Sequence, residues 1–348
     1  MCGFAGLLLL AATPCDELRA RVAGMASVLS HRGPDDSGDW VDPRGQFGMG
    51  FRRLAILDLS ELGHQPMASA GGRFIVSFNG EIFNHLELRP ALESRGSRFR
   101  GGSDTETLLA GVEQWGLEET LRRSVGMFAF ALWDCQERRL SLARDRLGKK
   151  PLFIARYDRQ VAFGSELKAI AVDSKFPRDL DMGSVVSYLR HLYVPAPHSI
   201  YSGVEKLSPA TILTIQADTG AETQSVYWSL ADVARRGTAS PLPEDPEAVI
   251  DMLDDQLRTS VRRRLLSDVP LGTLLSGGID SSLVTAMAAR TASGPLRSFS
   301  VSFPDAPEHD EGAFARAVAE HCGTVHTELE GRGKDMLDIV PSLPMMFD

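Results

Sequence analysis

Apolar positions recur at helical spacing through residues 16 to 30, where Leu18, Val22, Met25 and Leu29 share one face, and His31-Arg32-Gly33-Pro34-Asp35 then stops the helix. Ahead of it, Phe4 to Ala12 is an unbroken apolar run, short enough to predict a buried first strand. From Gly48 onward the period shortens. Gly48 to Leu59, Phe74 to Phe78, Met127 to Trp133, Arg138 to Ala143, Leu152 to Arg156 and Val161 to Phe163 are short apolar or alternating runs divided by turn residues, which predicts strands. Ser103 to Trp115 is the main helical interruption. Many hairpins with few helices predict an antiparallel, layered α+β domain.

The pattern changes after residue 231. Asp232 to Glu247 holds three prolines, several charges and few apolar residues, as a linker does. Beyond it, helix and strand alternate: a helix near 247 to 266, strand Val269 to Leu275, helix Ser281 to Thr291, strand Ser298 to Phe303, helix Asp310 to Cys322 and strand Thr324 to Leu329. This order predicts parallel βαβ units. The expected division is 1–217 for the first domain, 218–246 for the linker and 247–348 for the second domain.

Composition narrows the function. With 348 residues, two cores are the natural expectation, and a net charge of -9 gives no broad footprint for a phosphate backbone. Nucleic acid is not an expected partner. The run Phe4 to Ala12 has no basic residue before it and is too short to span a bilayer, so no membrane is expected. Cysteines at positions 2, 15, 135 and 322 are too scattered for a disulfide framework or a metal cluster, which fits a cytoplasmic protein.

Two sites carry chemistry. The first is Ser276-Gly277-Gly278-Ile279-Asp280-Ser281-Ser282, between an apolar strand and an apolar helix. Its glycines let an anion approach the backbone, the N–H groups at the helix start point at that anion, and the hydroxyls of Ser276, Ser281 and Ser282 add donors. Asp280 offers an oxygen to the Mg²⁺ that accompanies a polyphosphate. A Walker A lysine is missing, and a glycine-serine turn capping a helix is the plain alternative. The loop resembles the PP-loop of ATP pyrophosphatases. That resemblance implies that ATP is held by its β- and γ-phosphates, and that Leu274 and Val301 contact the nucleotide through their backbones.

The second site is Cys2. Removal of Met1 would give one residue both a thiol and a free α-amine, whose unperturbed pKa of about 7.7 to 8.0 lets it accept the thiol proton. A cysteine is more often an inert buried hydrophobe, and Cys15, Cys135 and Cys322 are read so. Five blocks follow Cys2-Gly3-Phe4-Ala5-Gly6 or include it in order: His31 to Asp35, Arg53-Leu54-Ala55-Ile56-Leu57-Asp58, Phe78-Asn79-Gly80-Glu81-Ile82-Phe83-Asn84-His85, and Gly102-Ser103-Asp104. Together they resemble the class II glutamine amidotransferases, an N-terminal nucleophile family. The chemistry agrees: Arg53 can pair with the α-carboxylate of glutamine, and Glu81 and Asp104 can bracket its ammonium. The Asn79 side-chain amide and the Gly80 N–H resemble the family's oxyanion hole. Taken singly, Arg53 could be a solvated strand charge, Asn79-Gly80 a hairpin turn and Asp104 a helix cap.

The two halves in this order, with Met127 to Leu132, Arg144 to Gly148, Lys150 to Leu152 and Ser165 to Ala169, resemble glutamine-dependent asparagine synthetase. The resemblance implies an αββα N-terminal-nucleophile hydrolase sandwich, followed by an incomplete α/β PP-loop domain of the adenine nucleotide alpha hydrolase kind. It implies Cys2, Asn79 and Gly80 as catalytic, glutamine held by Arg53, Leu54, Ala55, Ile56, Leu57, Asn79, Gly80, Glu81 and Asp104, and ATP held by Leu274, Ser276, Gly277, Gly278, Asp280, Ser281, Ser282 and Val301. The implied reaction releases ammonia from glutamine at Cys2 and amidates aspartate activated as β-aspartyl-AMP by MgATP. Expected partners are glutamine, aspartate, ATP and a second copy of the chain. Only 72 residues follow Ser276 (348 minus 276), and no later Ser-Gly-x-Gly-x-Asp-Glu segment is seen, so a truncated second domain is expected. Two alternatives stay open: a PP-loop amidotransferase acting on another carboxylate of a natural product or polysaccharide, and a non-catalytic or regulatory glutamine-binding protein.

Overall fold

A computed structural model describes residues 1–292 and 294–347. Asp348, the last residue of the expected second domain, lies outside the described residues. Two compact units are present, Met1–Arg235 and Arg236–Asp348.

The first unit is built from two six-stranded sheets. One has the strand Gly3–Leu9 between Phe47–Arg53 and Gln160–Gly164, both antiparallel to it. The other has Gly126–Asp134 between Phe74–Ile82 and Arg139–Arg144, again antiparallel. Alternation along each strand assigns side chains to layers. Phe4 and Leu8 of the first strand, with Phe47, Met49 and Phe51, meet Ala129, Ala131 and Trp133 of the other sheet. Phe47 and Trp133 stack with ring centroids 4.6 Å apart. On the opposite face of the first strand, Ala5, Leu7 and Leu9 pack against Leu18, Val22 and Met25 of the helix Cys15–Ser27. Phe128, Phe130 and Leu132 likewise meet Leu108, Leu109, Val112 and Leu121 of the helices Asp104–Trp115 and Leu117–Arg123. The order of layers is therefore α, β, β, α. It also explains the apolar start of the chain: the first strand is covered on both faces, so it does not alternate.

The second unit contains a parallel three-stranded sheet of Gly272–Leu274, Arg297–Ser302 and Val325–Glu330. Helices Ile279–Thr291 and Gly312–Cys322 supply the crossovers. Leu275, Ala315 and Ala319 form its small core.

Several expectations differ in detail. The predicted strand Gly48 to Leu59 ends at Arg53, and the apolar residues after it form a loop. The predicted linker 218–246 carries regular structure: Glu222–Val226 pairs with Thr211–Gln216 and extends the second sheet, and the helix Leu230–Ala239 follows. That strand is exposed along its whole length, so it lacks the apolar alternation that marks a strand in sequence. Asn79-Gly80 is no hairpin turn either. It lies inside the strand Phe74–Ile82, with Asn79 opposite Ala129 and Gly80 opposite Phe128.

Candidate active site

Cys2 stands one residue ahead of the first strand, and Arg32 fixes it there. The Arg32 guanidinium donates to the Cys2 carbonyl at 3.0 Å and to Glu166 at 2.7 Å, while the Phe4 N–H donates to Ser165 Oγ at 3.1 Å. The His31 to Asp35 block thus has a structural task beside Cys2. Asp35 accepts the Ala55 N–H at 2.8 Å, which ties the same block to the loop after Arg53.

That loop is clamped by Arg53, which is buried. Its guanidinium donates to the carbonyls of Ser60 and Leu57, each at 3.2 Å, and to the carbonyl of Asp58. Three of its five N–H groups are spent on loop carbonyls, which leaves Nε and one Nη1 hydrogen for a further acceptor. Asp58 extends the clamp by accepting the Gly102 N–H at 2.8 Å and the Ser60 hydroxyl at 2.5 Å. Burial pushes the Asp58 carboxyl up, but these hydrogen bonds outweigh it and hold the group below the usual carboxylate range. Loop 54–60 is thereby joined to the segment that starts the helix at Asp104.

Asn79 is 1% exposed, and neither its side-chain nitrogen nor its oxygen has a hydrogen-bond partner. A buried amide with no protein partner at either end is costly, so a catalytic role or an ordered water or ion is expected there. Its strand is held in register by Gln65, which accepts the Phe78 N–H at 2.6 Å and donates to Thr105 Oγ1 at 3.3 Å. Gly80 is required by close approach: a Cβ there would lie 2.4 Å from the Met127 carbonyl oxygen. Asp104 is the first helical residue, but Ser103 is the cap, accepting the Thr105 N–H at 3.1 Å. Asp104 instead accepts the Ile82 N–H at 2.8 Å, and burial pushes its carboxyl above the usual range.

These elements enclose a cavity of about 140 Å³. Cys2, Arg53, Leu54, Ile56, Leu57, Asn79, Gly80, Glu81 and Asp104 all line it. Ala55 does not; its N–H is turned to Asp35. Sequence reasoning missed Arg32, Gln65 and Lys150 as members of this neighbourhood. Lys150 lines the cavity and is buried, and its place in the Lys150-Pro151-Leu152 phrase was the only signal. Burial pushes the Cys2 thiol up, with the Leu54 backbone opposing, and pushes the Lys150 ammonium down. Met1 precedes Cys2 in the structure, and its amine is pushed down, chiefly by burial.

In the second unit, Leu274, Ser276, Ser281 and Val301 line one cavity of about 480 Å³. Gly277, Gly278, Asp280 and Ser282 lie in the same turn without lining it. Gly277 has φ of +84°, a conformation that favours glycine, and Gly278 precedes the first residue of the helix Ile279–Thr291. The serines hold the turn closed, with Ser276 Oγ 3.1 Å from Ser281 Oγ and the Gly278 N–H donating to Ser276 Oγ at 3.4 Å. Ser282 Oγ is buried and unpartnered. Asp280 is exposed in the first helical turn, and no group of three or more metal-ligating side chains occurs among the described residues. One carboxylate suits an Mg²⁺ that arrives on a polyphosphate and keeps most of its water.

The comparisons with known proteins divide the chain in the same order. The glutamine amidotransferase domain family matches residues 1–228, and the asparagine synthase family matches residues 252–348. Glutamine-hydrolysing asparagine synthetase 1 of Bacillus subtilis is 35% identical over 352 residues, covering 100% of this chain and 53% of the relative. A Methanocaldococcus jannaschii protein that carries the same family name is 30% identical over 367 residues, covering 100% of this chain and 68% of its own. The chain spans about half the length of most of the curated relatives it matches. Among solved structures, an allosteric regulatory enzyme of purine biosynthesis aligns with a TM-score of 0.51 at 14% identity, over 95% of this chain and 80% of that one. Glutamine phosphoribosylpyrophosphate amidotransferase of B. subtilis aligns with a TM-score of 0.50 at 16% identity, over 94% and 65%. At such identity the likeness is one of fold.

Proposed function

The chain belongs to the glutamine-hydrolysing asparagine synthetase family, and from that premise we propose that its first unit is a glutaminase with Cys2 as nucleophile and that its second unit serves ATP-dependent activation of aspartate. The observation that carries the reading is the cavity that gathers Cys2, Arg53, Asn79, Glu81 and Asp104 from four separate stretches of sequence.

In this reading the Cys2 sulfur attacks the side-chain amide carbon of glutamine, and its proton passes to the α-amine freed by loss of Met1 and then to the departing ammonia. Negative charge on the amide oxygen is met by the Asn79 side-chain N–H₂ and the Gly80 N–H. The buried Asn79 amide, which no other protein group engages, supports this, because a donor already held in place needs little reorganisation when the charge appears. Water then resolves the thioester to glutamate. Arg53 directs its remaining N–H groups at the α-carboxylate, and Glu81 and Asp104 take the α-ammonium. Asp104 is suited to this, since burial makes a lone carboxylate there unfavourable until a cation arrives.

For the second unit, MgATP is held at Ser276 to Ser282, with Asp280 toward the Mg²⁺ and the Leu274 and Val301 backbones toward the nucleotide. The β-carboxylate of aspartate displaces pyrophosphate from the α-phosphorus of ATP to give β-aspartyl-AMP, and ammonia then displaces AMP to give asparagine. The open cavity beside Ser276, Ser281 and Val301 supports the placement. All four cysteines are free thiols, which suits the cytoplasm. The assembly put forward is a homodimer. Neither a different carboxylate acceptor nor a purely regulatory role is favoured by the relatives. The test is to supply purified protein with glutamine, aspartate and MgATP and to measure glutamate, pyrophosphate and asparagine. Glutamate release supports the first assignment and its absence overturns it. Pyrophosphate with asparagine supports the second, and pyrophosphate that needs an acceptor other than aspartate overturns it.

A further inference from the structure

Lys150 is a buried cation that the reaction above leaves without a task. Its side chain lines the cavity of Cys2, and the residue is 5% exposed. Its backbone N–H donates to Asp145 Oδ2 at 3.0 Å, which fixes where the side chain starts. Among the described residues, its ammonium has neither a hydrogen bond nor an ion pair. A desolvated ammonium without a partner is unfavourable, so an anion is expected beside it in the working state.

The charges that act on Lys150 are Arg32, Cys2, Glu81 and Asp145. The largest charges acting on Cys2 are the amino terminus, Arg53 and Asp104, and Lys150 faces the same cavity as the sulfur. The amino terminus in turn is influenced by Cys2, Arg32, Lys150 and Asp35. Within this set, Glu81 repels a substrate carboxylate brought to Lys150, whereas the sulfur becomes anionic in place. We propose that the Lys150 ammonium steadies the anionic form of the Cys2 sulfur and so serves as the electrostatic partner of the nucleophile. Burial moves the thiol up and the ammonium down, so the two groups are brought closer in proton affinity. The inference deepens the glutaminase reading and rests on it for the identity of the nucleophile.

The test is the pH dependence of Cys2 alkylation by iodoacetamide in the full chain, in wild type, Lys150→Met, Lys150→Gln and Lys150→Arg, followed by mass of the Cys2 peptide. Sulfur displaces iodide from carbon and the thiol proton passes to solvent, so the rate reports the thiolate fraction without glutamine. The expected result is an alkylation midpoint about one pH unit higher in Lys150→Met and Lys150→Gln, with a rate at pH 7 about tenfold lower, and recovery in Lys150→Arg. An unchanged midpoint in either folded neutral variant overturns the proposal, and a raised glutamine KM alongside it assigns Lys150 to the substrate carboxylate. A shift that arginine does not restore, or loss of the fold in both neutral variants, makes Lys150 structural and overturns it equally. Wild type that shows the Lys150-dependent midpoint yet releases no glutamate sinks the glutaminase reading alone.

Discussion

Cys2 and Leu54 meet in two ways: the Leu54 N–H donates to the Cys2 sulfur at 3.4 Å, and the thiol donates to the Leu54 carbonyl at 3.7 Å. The carbonyl suits the protonated form and the N–H suits the anion. Leu54 is the first residue after its strand, so the position of the sulfur depends on a loop fixed by Arg53 and Asp35.

Arg53 therefore has a structural share beside the binding one proposed for it. Arg53→Lys cannot reach three carbonyls at once, and the loop from 54 to 60 should loosen. Urea unfolding of the first unit is expected to show a loss of about 1–3 kcal/mol, because buried carbonyls lose their donors. Glutamine KM should rise about tenfold in the same variant, which steady-state kinetics would read.

Asn79→Ala separates catalysis from stability. The Asn79 amide makes no hydrogen bond to another protein group, so its removal should leave the urea midpoint unchanged or raised. Glutaminase kcat should fall by roughly 10²–10³, as for loss of one oxyanion donor, with KM little altered. Equal loss of kcat and of stability would count against the assigned role.

Asp104 gives a pH signature. Burial raises its carboxyl above the unfolded value, so the fold prefers the protonated form. Its contribution to stability is full below the unfolded pKa and is lost as pH rises through the raised folded value. At pH 7 the carboxylate thus weakens the fold. Asp104→Asn, which keeps an oxygen for the Ile82 N–H, should raise the urea midpoint at pH 7, and the difference should vanish near about pH 3. The same variant should raise glutamine KM, and as pH falls the wild-type KM should begin to climb at a higher pH than an ordinary carboxylate would give.

In the second unit, Gly277 is held at positive φ, and a Cβ there would lie 2.5 Å from Phe314 Cβ and 2.7 Å from the Ala315 nitrogen. Gly277→Val should displace the turn and abolish MgATP binding measured by calorimetry. Glutamate release by the first unit should be unaffected.

The strands at the centre of the first unit were legible because residues there are apolar or alternate, and Gly126–Asp134 and Arg139–Arg144 fall within a residue of the expected runs. Asp36–Val41 and Glu222–Val226 were not, because their exposed positions carry no apolar pattern. The run after Arg53 misled for the opposite reason: Leu54, Ile56 and Leu57 are apolar because they line a cavity, not because they extend a strand. Cys2, Arg53, Asn79, Glu81 and Asp104, named from sequence blocks, come together around one cavity, whereas Lys150 and Gln65 join that neighbourhood through burial and a hydrogen bond that only tertiary structure reveals. In the second unit, the alternation of helix and strand was sufficient to place all three parallel strands.

Whether the Cys2 sulfur, freed of Met1, attacks glutamine can be read from active protein treated with an electrophilic glutamine analogue, then digested and sequenced by mass spectrometry. The expected result is a single adduct on Cys2 in chains that begin at Cys2, prevented by excess glutamine and accompanied by loss of glutamate release. An adduct on another residue, or full glutaminase activity in chains that still carry Met1, would contradict it.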